Sequence, residues 1–288
     1  DDRVSNKPLK DYPIKDIEQW HIECVQTRLK NTKTTANDVV KMISIIYTWA
    51  IKKKKIKAIN PVQNITKFKE NKIKIKLDEV DRKKVIDYCF SKAFDFFPRF
   101  LTYVALLLLT GKREEELLHL AWQQPTDKKH FEECSGWLVD NWEREKMIYL
   151  RDTKNRKSEL VYIDNQSLQI LLRLQRSRYT EKNAWAVKSP FLFPQKKNIY
   201  KTATYSSFRK HLAALNERLE LSTKLMFKIC RKTFGSYIAQ KKGIEIAARK
   251  LNHSSTKVTR DHYIVPEDDE LKIDDIYESN VEQLKKAE

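Results

Sequence analysis

Apolar residues at Ile14, Ile17, Trp20, Val25 and Leu29 recur at near-helical spacing, and a second set follows at Val39, Met42, Ile43, Ile46, Trp49 and Ala50. Residues three and four apart share a helix face, so these sets predict two amphipathic helices. The second runs into IKKKKIK at 51–57, and Asn60-Pro61 then breaks the chain. Residues 62–76, VQNITKFKENKIKIK, carry basic charge and no long apolar face, which reads as a linker. Asp78, with Asp81 three residues on, reads as an N-cap opening a helix through about Phe94. A further helix is expected from Pro98 to Leu109, stopped at Thr110-Gly111.

The period then changes. Between 136 and 164, short segments rich in Val, Ile, Tyr and Trp flank the polar turn DTKNRKS, which predicts a small antiparallel sheet with a basic hairpin. Helical patterns return at about 166–178, 205–219, 228–241, 244–251 and 255–262. The fold class expected is therefore mainly α with a small antiparallel β-sheet (α+β). The pattern divides into a helical domain at 1–72, a second domain at 73–265 and an acidic tail at 266–288.

A chain of 288 residues exceeds the common single-domain size, which agrees with two domains. Its 57 Lys and Arg against 39 Asp and Glu give a net charge of +18, which points to a polyanionic partner. The frequent Lys, Ile and Asn with only 4 Gly are also what an AT-rich genome produces without selection for binding. Lys52, Lys53, Lys54 and Lys55 close the second helix, where a lysine block is solvated, favours the helix dipole and can meet phosphates. Cys24, Cys89, Cys134 and Cys230 form no C-x-x-C pair, so neither a disulfide framework nor a zinc site is suggested. With no apolar run of about 18 residues and no signal peptide, the chain reads as cytoplasmic, with no membrane partner. It starts at Asp1 without methionine, so an N-terminally truncated fragment is expected.

Chemistry enters through four short stretches. In LLLLTGKREEELLHLAW, Gly111 ends one helix and Arg113 stands in the first turn of the next, a position the helix dipole disfavours, followed by Glu114, Glu115 and Glu116. Lys154, Arg156 and Lys157 lie in the basic hairpin. In FKICRKTFGSYIAQ, Lys228 and Arg231 are three apart and share a helix face. LNHSSTKVTRDHYIV then places His253 and Tyr263 in a stretch too polar to be core.

The ordered set Arg113, Lys154, Lys228, Arg231, His253 and Tyr263, with TGxRxxEL, KxxRxTF and LNHSS around its members, resembles the tyrosine recombinase (phage integrase) family over about residues 98–265. The resemblance implies a helical core-binding domain followed by a catalytic domain. It implies cleavage and rejoining of double-stranded DNA through a 3′-phosphotyrosine, with Tyr263 as nucleophile. Two guanidiniums can clamp the charge that develops on a phosphodiester's nonbridging oxygens, the role implied for Arg113 and Arg231. Lys154 is then the acid for the 5′-hydroxyl leaving group, with Lys157 as fallback. His253 bonds a nonbridging oxygen and aligns Tyr263, and Glu116 buttresses the arginine site. No cofactor or metal is implied, because the phosphotyrosyl bond stores the energy for rejoining. The family works as a homo-tetramer on DNA, sometimes with accessory DNA-bending proteins, in the nucleoid of prokaryotes or on viral genomes. Its segment after the nucleophile docks on a neighbouring protomer, the expectation for 266–288.

One position departs. The family most often has histidine where Lys228 stands, and a lysine beside two arginines is a base only if its pKa falls substantially, so the expectation is that it stays charged in the phosphate clamp. Lysine there also resembles type IB topoisomerases, which nick and reseal without exchanging partners. An inactivated recombinase scaffold that only binds DNA is the alternative from another class.

Overall fold

The computed structural model describes residues 8–69, 75–151 and 158–263, with side chains through 260. The chain divides into two compact units, Asp1–Ile73 and Lys74–Glu288.

The first unit is built on α1 (Gln19–Arg28) and α2 (Lys33–Lys52). The helix expected from Ile14 is interrupted: Pro13 starts a 3-10 turn at Ile14–Asp16, Ile17 and Glu18 are extended, and α1 begins only after Glu18. The Glu18 amide donates to His21 Nδ1 at 3.0 Å, closing the new helix start. On α2 the buried stripe is Ala36, Val40, Tyr47 and Ala50, whereas Met42, Ile45, Ile46 and Trp49 are exposed. The helix carries two apolar stripes, and the one with two alanines and a tyrosine turns inward. Tyr47 can do so because its hydroxyl donates to the Ile14 carbonyl at 2.6 Å.

The segment read as a linker belongs in part to this unit. Val62 joins Ile22 and Val40 in the core, and Gln26 and Asn37 donate to the carbonyls of Thr66 and Phe68, both at 2.9 Å. This core is thin, so side-chain bonds to backbone help tie the segment down.

The second unit is organised around α4 (Pro98–Thr110), on which every residue but Arg99 is buried. A helix apolar all round must be enclosed, and α3 (Glu79–Phe90), α8 (Asn165–Ser177) and α10 (Phe227–Lys242) enclose it. α3 opens at the expected cap, with Asp78 Oδ1 accepting from the Asp81 amide at 2.7 Å. α4 ends at Gly111, whose φ of 63° is left-handed and whose absent Cβ would lie 2.2 Å from the Phe234 ring. Between α5 (Glu114–Leu118) and α8 lie β1 (Leu120–Ala121), α6 (Lys128–Glu133), β2 (Gly136–Leu138), α7 (Trp142–Glu145), β3 (Met147–Leu150) and β4 (Glu159–Tyr162). α9 (Tyr205–Leu219), α11 (Ile244–Lys250) and α12 (Thr256–Tyr263) complete the described residues.

The sheet runs in the order β1-β2-β3-β4. The expected antiparallel hairpin is there, β3 on β4 from Met147↔Tyr162 to Leu150↔Glu159, with β2 antiparallel to β3. β1 differs: it pairs parallel with β2, because α6 returns the chain to the same edge. The sheet is thus mixed. Along β4, Val161 is buried between exposed Leu160 and Tyr162, the period-two alternation of a one-sided sheet. Among the described residues no helix is long and apolar enough to cross a membrane.

Candidate active site

Three turns far apart in sequence meet where α10 begins. The first is Gly111–Arg113, between α4 and α5. Because Gly111 turns the chain left-handed, Arg113 becomes the N-cap residue of α5, where its backbone N–H and its Nη1 both reach Glu116, at 2.8 and 2.7 Å. Glu116 is buried, and its own carbonyl accepts from Ser135 Oγ at 2.6 Å, so the carboxylate that grips Arg113 is itself fixed.

The second is the first turn of α10. Lys228 is exposed, while Arg231, one turn on, is 9% exposed. A buried guanidinium must find acceptors. Arg231 Nη1 donates to the Gly111 carbonyl at 2.8 Å and Nη2 to the Leu251 carbonyl at 2.6 Å. These are carbonyls at the ends of α4 and α11, where helices leave acceptors without intrahelical partners.

The third is residues 250–253, at the end of α11. Asn252 takes the left-handed region with φ 52°, and His253 follows with its Nε2 3.2 Å from Arg231 Nη2. An arginine only donates, so Nε2 accepts, and the ring proton sits on Nδ1, facing Thr259 Oγ1 at 2.7 Å. Thr259 is fully buried on α12, which packs on α10 and α11. Tyr263 is the last residue of α12, one turn after Thr259.

Arg113, Lys228, Arg231 and Lys112 border one cavity of about 700 Å³, with Glu114, Glu115 and His119 on its rim. Burial pushes the Glu114 carboxyl up and Glu115 adds to it, while Lys228 opposes the shift. The Lys232 ammonium is held down by burial and by Lys228. The cavity sets Arg113, Lys228 and Arg231 beside the carboxylates Glu114, Glu115 and Glu116, and its two guanidiniums can meet one doubly coordinated anionic group.

The structure therefore brings together Arg113, Glu116, Lys228, Arg231 and His253, and ends α12 at Tyr263. Lys154, Arg156 and Lys157 lie outside the described residues. Lys52 to Lys55 belong to the other unit: Lys52 ends α2, and Lys53, Lys54 and Lys55 follow it, all exposed. Two residues that sequence reasoning passed over stand at the junction of the three turns. Lys112, 2% exposed, donates from Nζ to Glu159 Oε1 at 2.5 Å and to the Lys250 carbonyl at 2.9 Å. Glu159 Oε2 accepts from Asn252 Nδ2 at 3.2 Å.

The profile of the phage integrase family matches residues 75–270. Among solved structures, the chain is similar to the Tn1549 transposon integrase in complex with circular intermediate DNA (TM-score 0.64, 15% identity, covering 93% of this chain and 88% of that one). It is similar to a lambda integrase dimer bound to a COC′ core site (TM-score 0.62, 14% identity, 91% and 70%). The XerA recombinase is a third (TM-score 0.52, 17% identity, 94% and 86%). Likeness at such identities speaks for the fold. A search by sequence against curated proteins matched none of them.

Proposed function

Since the chain belongs to the phage integrase family and is a site-specific tyrosine recombinase, a DNA strand transferase, we propose that Arg113, Lys154, Lys228, Arg231, His253 and Tyr263 carry its chemistry. The Tyr263 phenol attacks the scissile phosphorus and displaces the 5′-hydroxyl, leaving a 3′-phosphotyrosyl bond; attack by a 5′-hydroxyl reverses the step and rejoins a strand. A phenol has a pKa near 10, so cations around it ease the loss of its proton. Arg113 and Arg231 bind the two nonbridging oxygens, Lys228 remains a charged third member of the clamp, and Glu116 holds Arg113 in place. Lys154 protonates the leaving oxygen, with Lys157 as fallback. His253 donates from Nε2 to a nonbridging oxygen once a phosphate has taken its place beside Arg231, which requires the imidazolium or the Nε2–H tautomer with Nδ1 accepting from Thr259 Oγ1.

The observation that carries this reading is Arg231, whose guanidinium bonds the Gly111 carbonyl, the Leu251 carbonyl and His253, and which lines one cavity with Arg113 and Lys228. That grouping supports assigning these residues, from separate helices, to one phosphate.

Residues 1–72 serve as the core-binding domain and 73–265 as the catalytic domain, with Lys52 to Lys55, Arg156 and Lys157 touching the phosphate backbone. One solved relative is described as a lambda integrase tetramer bound to a Holliday junction, and by analogy four copies of this chain exchange strands in pairs, with residues 266–288 docking on a neighbour. Integration or excision of a mobile element is the use proposed. The test is incubation, without metal or ATP, with nicked suicide DNA carrying the attachment site. Wild type forms a covalent adduct on a denaturing gel and Tyr263→Phe forms none. Normal binding with no adduct from either protein, on a verified site, favours a scaffold that only binds DNA.

A further inference from the structure

Lys112, buried, and Glu159, half-buried, form an ion pair that the chemistry above does not use. Burial holds the Lys112 ammonium below its usual range, and the bond to Glu159 opposes that shift. Its side chain is 3% exposed and that of Glu159 20%. Removing two charges from water costs several kcal/mol per ion, so such a pair is weak evidence of stability and asks for another reason.

The geometry supplies one. Lys112 lies between Gly111 and Arg113, Glu159 is the first residue of β4, and both bond to the turn that presents His253, Lys112 through the Lys250 carbonyl and Glu159 through Asn252 Nδ2. Arg231 bonds the residue between, through the Leu251 carbonyl. Three consecutive residues of the turn are thus each held from outside it. Asn252 is also left-handed, a conformation that asparagine tolerates better than most non-glycine residues.

We propose that Lys112 and Glu159 are positioning residues for the recombination site: their ion pair fixes the 250–253 turn, and with it the His253 ring, against Arg231. The inference rests on the reading that His253 serves the scissile phosphate. A displacement of about 1 Å costs on the order of 100-fold in rate, so loosening this turn slows chemistry without weakening DNA binding.

The test compares wild type with Lys112→Met/Glu159→Gln for melting temperature, affinity for uncleaved site DNA and single-turnover rate of adduct formation. The double variant leaves no charge unpaired, so its melting temperature stays within a few degrees of wild type. Its affinity is unchanged, and its rate falls about 10- to 100-fold. A folded, DNA-binding double variant with the wild-type rate overturns the proposal. If the double variant does not fold, Glu159→Ala and Glu159→Gln decide. The glutamine oxygen still accepts from Lys112 and its amide donates to Asn252 Oδ1 once the Asn252 amide turns over, so that variant cleaves near the wild-type rate while the alanine variant is about tenfold slower; equal rates overturn the proposal. His253→Ala runs in parallel, and an undiminished rate there removes instead the reading on which the inference rests.

Discussion

The two sides of the cavity hold their cations in opposite ways. On the α10 side, Arg231 is almost wholly buried and its guanidinium is committed to two main-chain carbonyls and a histidine. The more open cations are Arg113 at the start of α5, 28% exposed and bonded to one carboxylate, and Lys228 in the first turn of α10, which is exposed. A charge removed from water must be answered by fixed acceptors, so the buried side is set before any ligand arrives. The open side retains donors for what arrives. Arg231 is therefore a structural tie as well as a proposed member of the clamp, whereas Arg113, held by Glu116 within its own helix, is proposed for the clamp.

Substituting each arginine by lysine breaks this comparison most directly. Lysine lacks the planar fork, so Arg231→Lys loses its two-carbonyl tie together with its phosphate contact. Adduct formation falls by about 1000-fold or more, and the melting temperature drops by roughly 5 °C. Arg113→Lys loses about 100-fold in the same single-turnover assay with its melting temperature unchanged. Equal thermal costs would dissolve the distinction between the two sides.

A backbone change tests the buried side without touching a charge. Gly111→Ala places a Cβ against the Phe234 ring at a left-handed position, so the carbonyl that receives Arg231 must move. The expected loss is about 2–4 kcal/mol of stability, read by chemical denaturation, with a parallel fall in cleavage. On the open side, Lys228→Gln costs about tenfold in adduct rate and leaves stability unaltered, because an exposed lysine supports nothing beneath it.

The smallest effect lies outside the site, where the same design appears with the charge reversed. Burial alone would raise the Asp81 carboxyl, but bonds from the Ser222 hydroxyl and from the Ser222 and Thr223 amides, with Lys84 nearby, hold it below its ordinary value. A depressed acid stabilises the fold above its unfolded pKa of about 3.9 and ceases to as pH falls through the folded value. Asp81→Asn thus lowers the melting temperature by a few degrees at neutral pH, and the gap to wild type narrows below about pH 4 in calorimetry.

Much of this was legible in the sequence for local reasons. Asp78 caps α3, Pro98 and Gly111 bound α4, and the apolar run after the polar turn marks β4, since each signal lies within a few residues of its effect. Helices read only from periodicity had less certain faces: α2 offers two apolar stripes, and which turns inward depends on Ile14 and Val62. β1 has two residues and reads as the end of the preceding helical pattern, and its parallel partner is supplied by a crossover. Lys112 and Glu159 were illegible for the same reason. They are 47 residues apart, and nothing near either in the chain marks a lysine or a glutamate for burial. Arg113, Arg231 and His253 were found as members of an ordered set; that Arg231 holds carbonyls, and that His253 leans on Thr259, required the fold.

That last contact carries a consequence of its own. Thr259 and Tyr263 are borne by one short helix, so the group that orients the histidine and the residue proposed as nucleophile move as one piece. Carrying α12 away from α10 separates Thr259 from His253 and leaves Nδ1 without that contact. Under the roles proposed, the arrangement is an AND gate: a protomer whose tyrosine helix is out of place also lacks an oriented histidine, and a phosphate in its cavity meets an incomplete site.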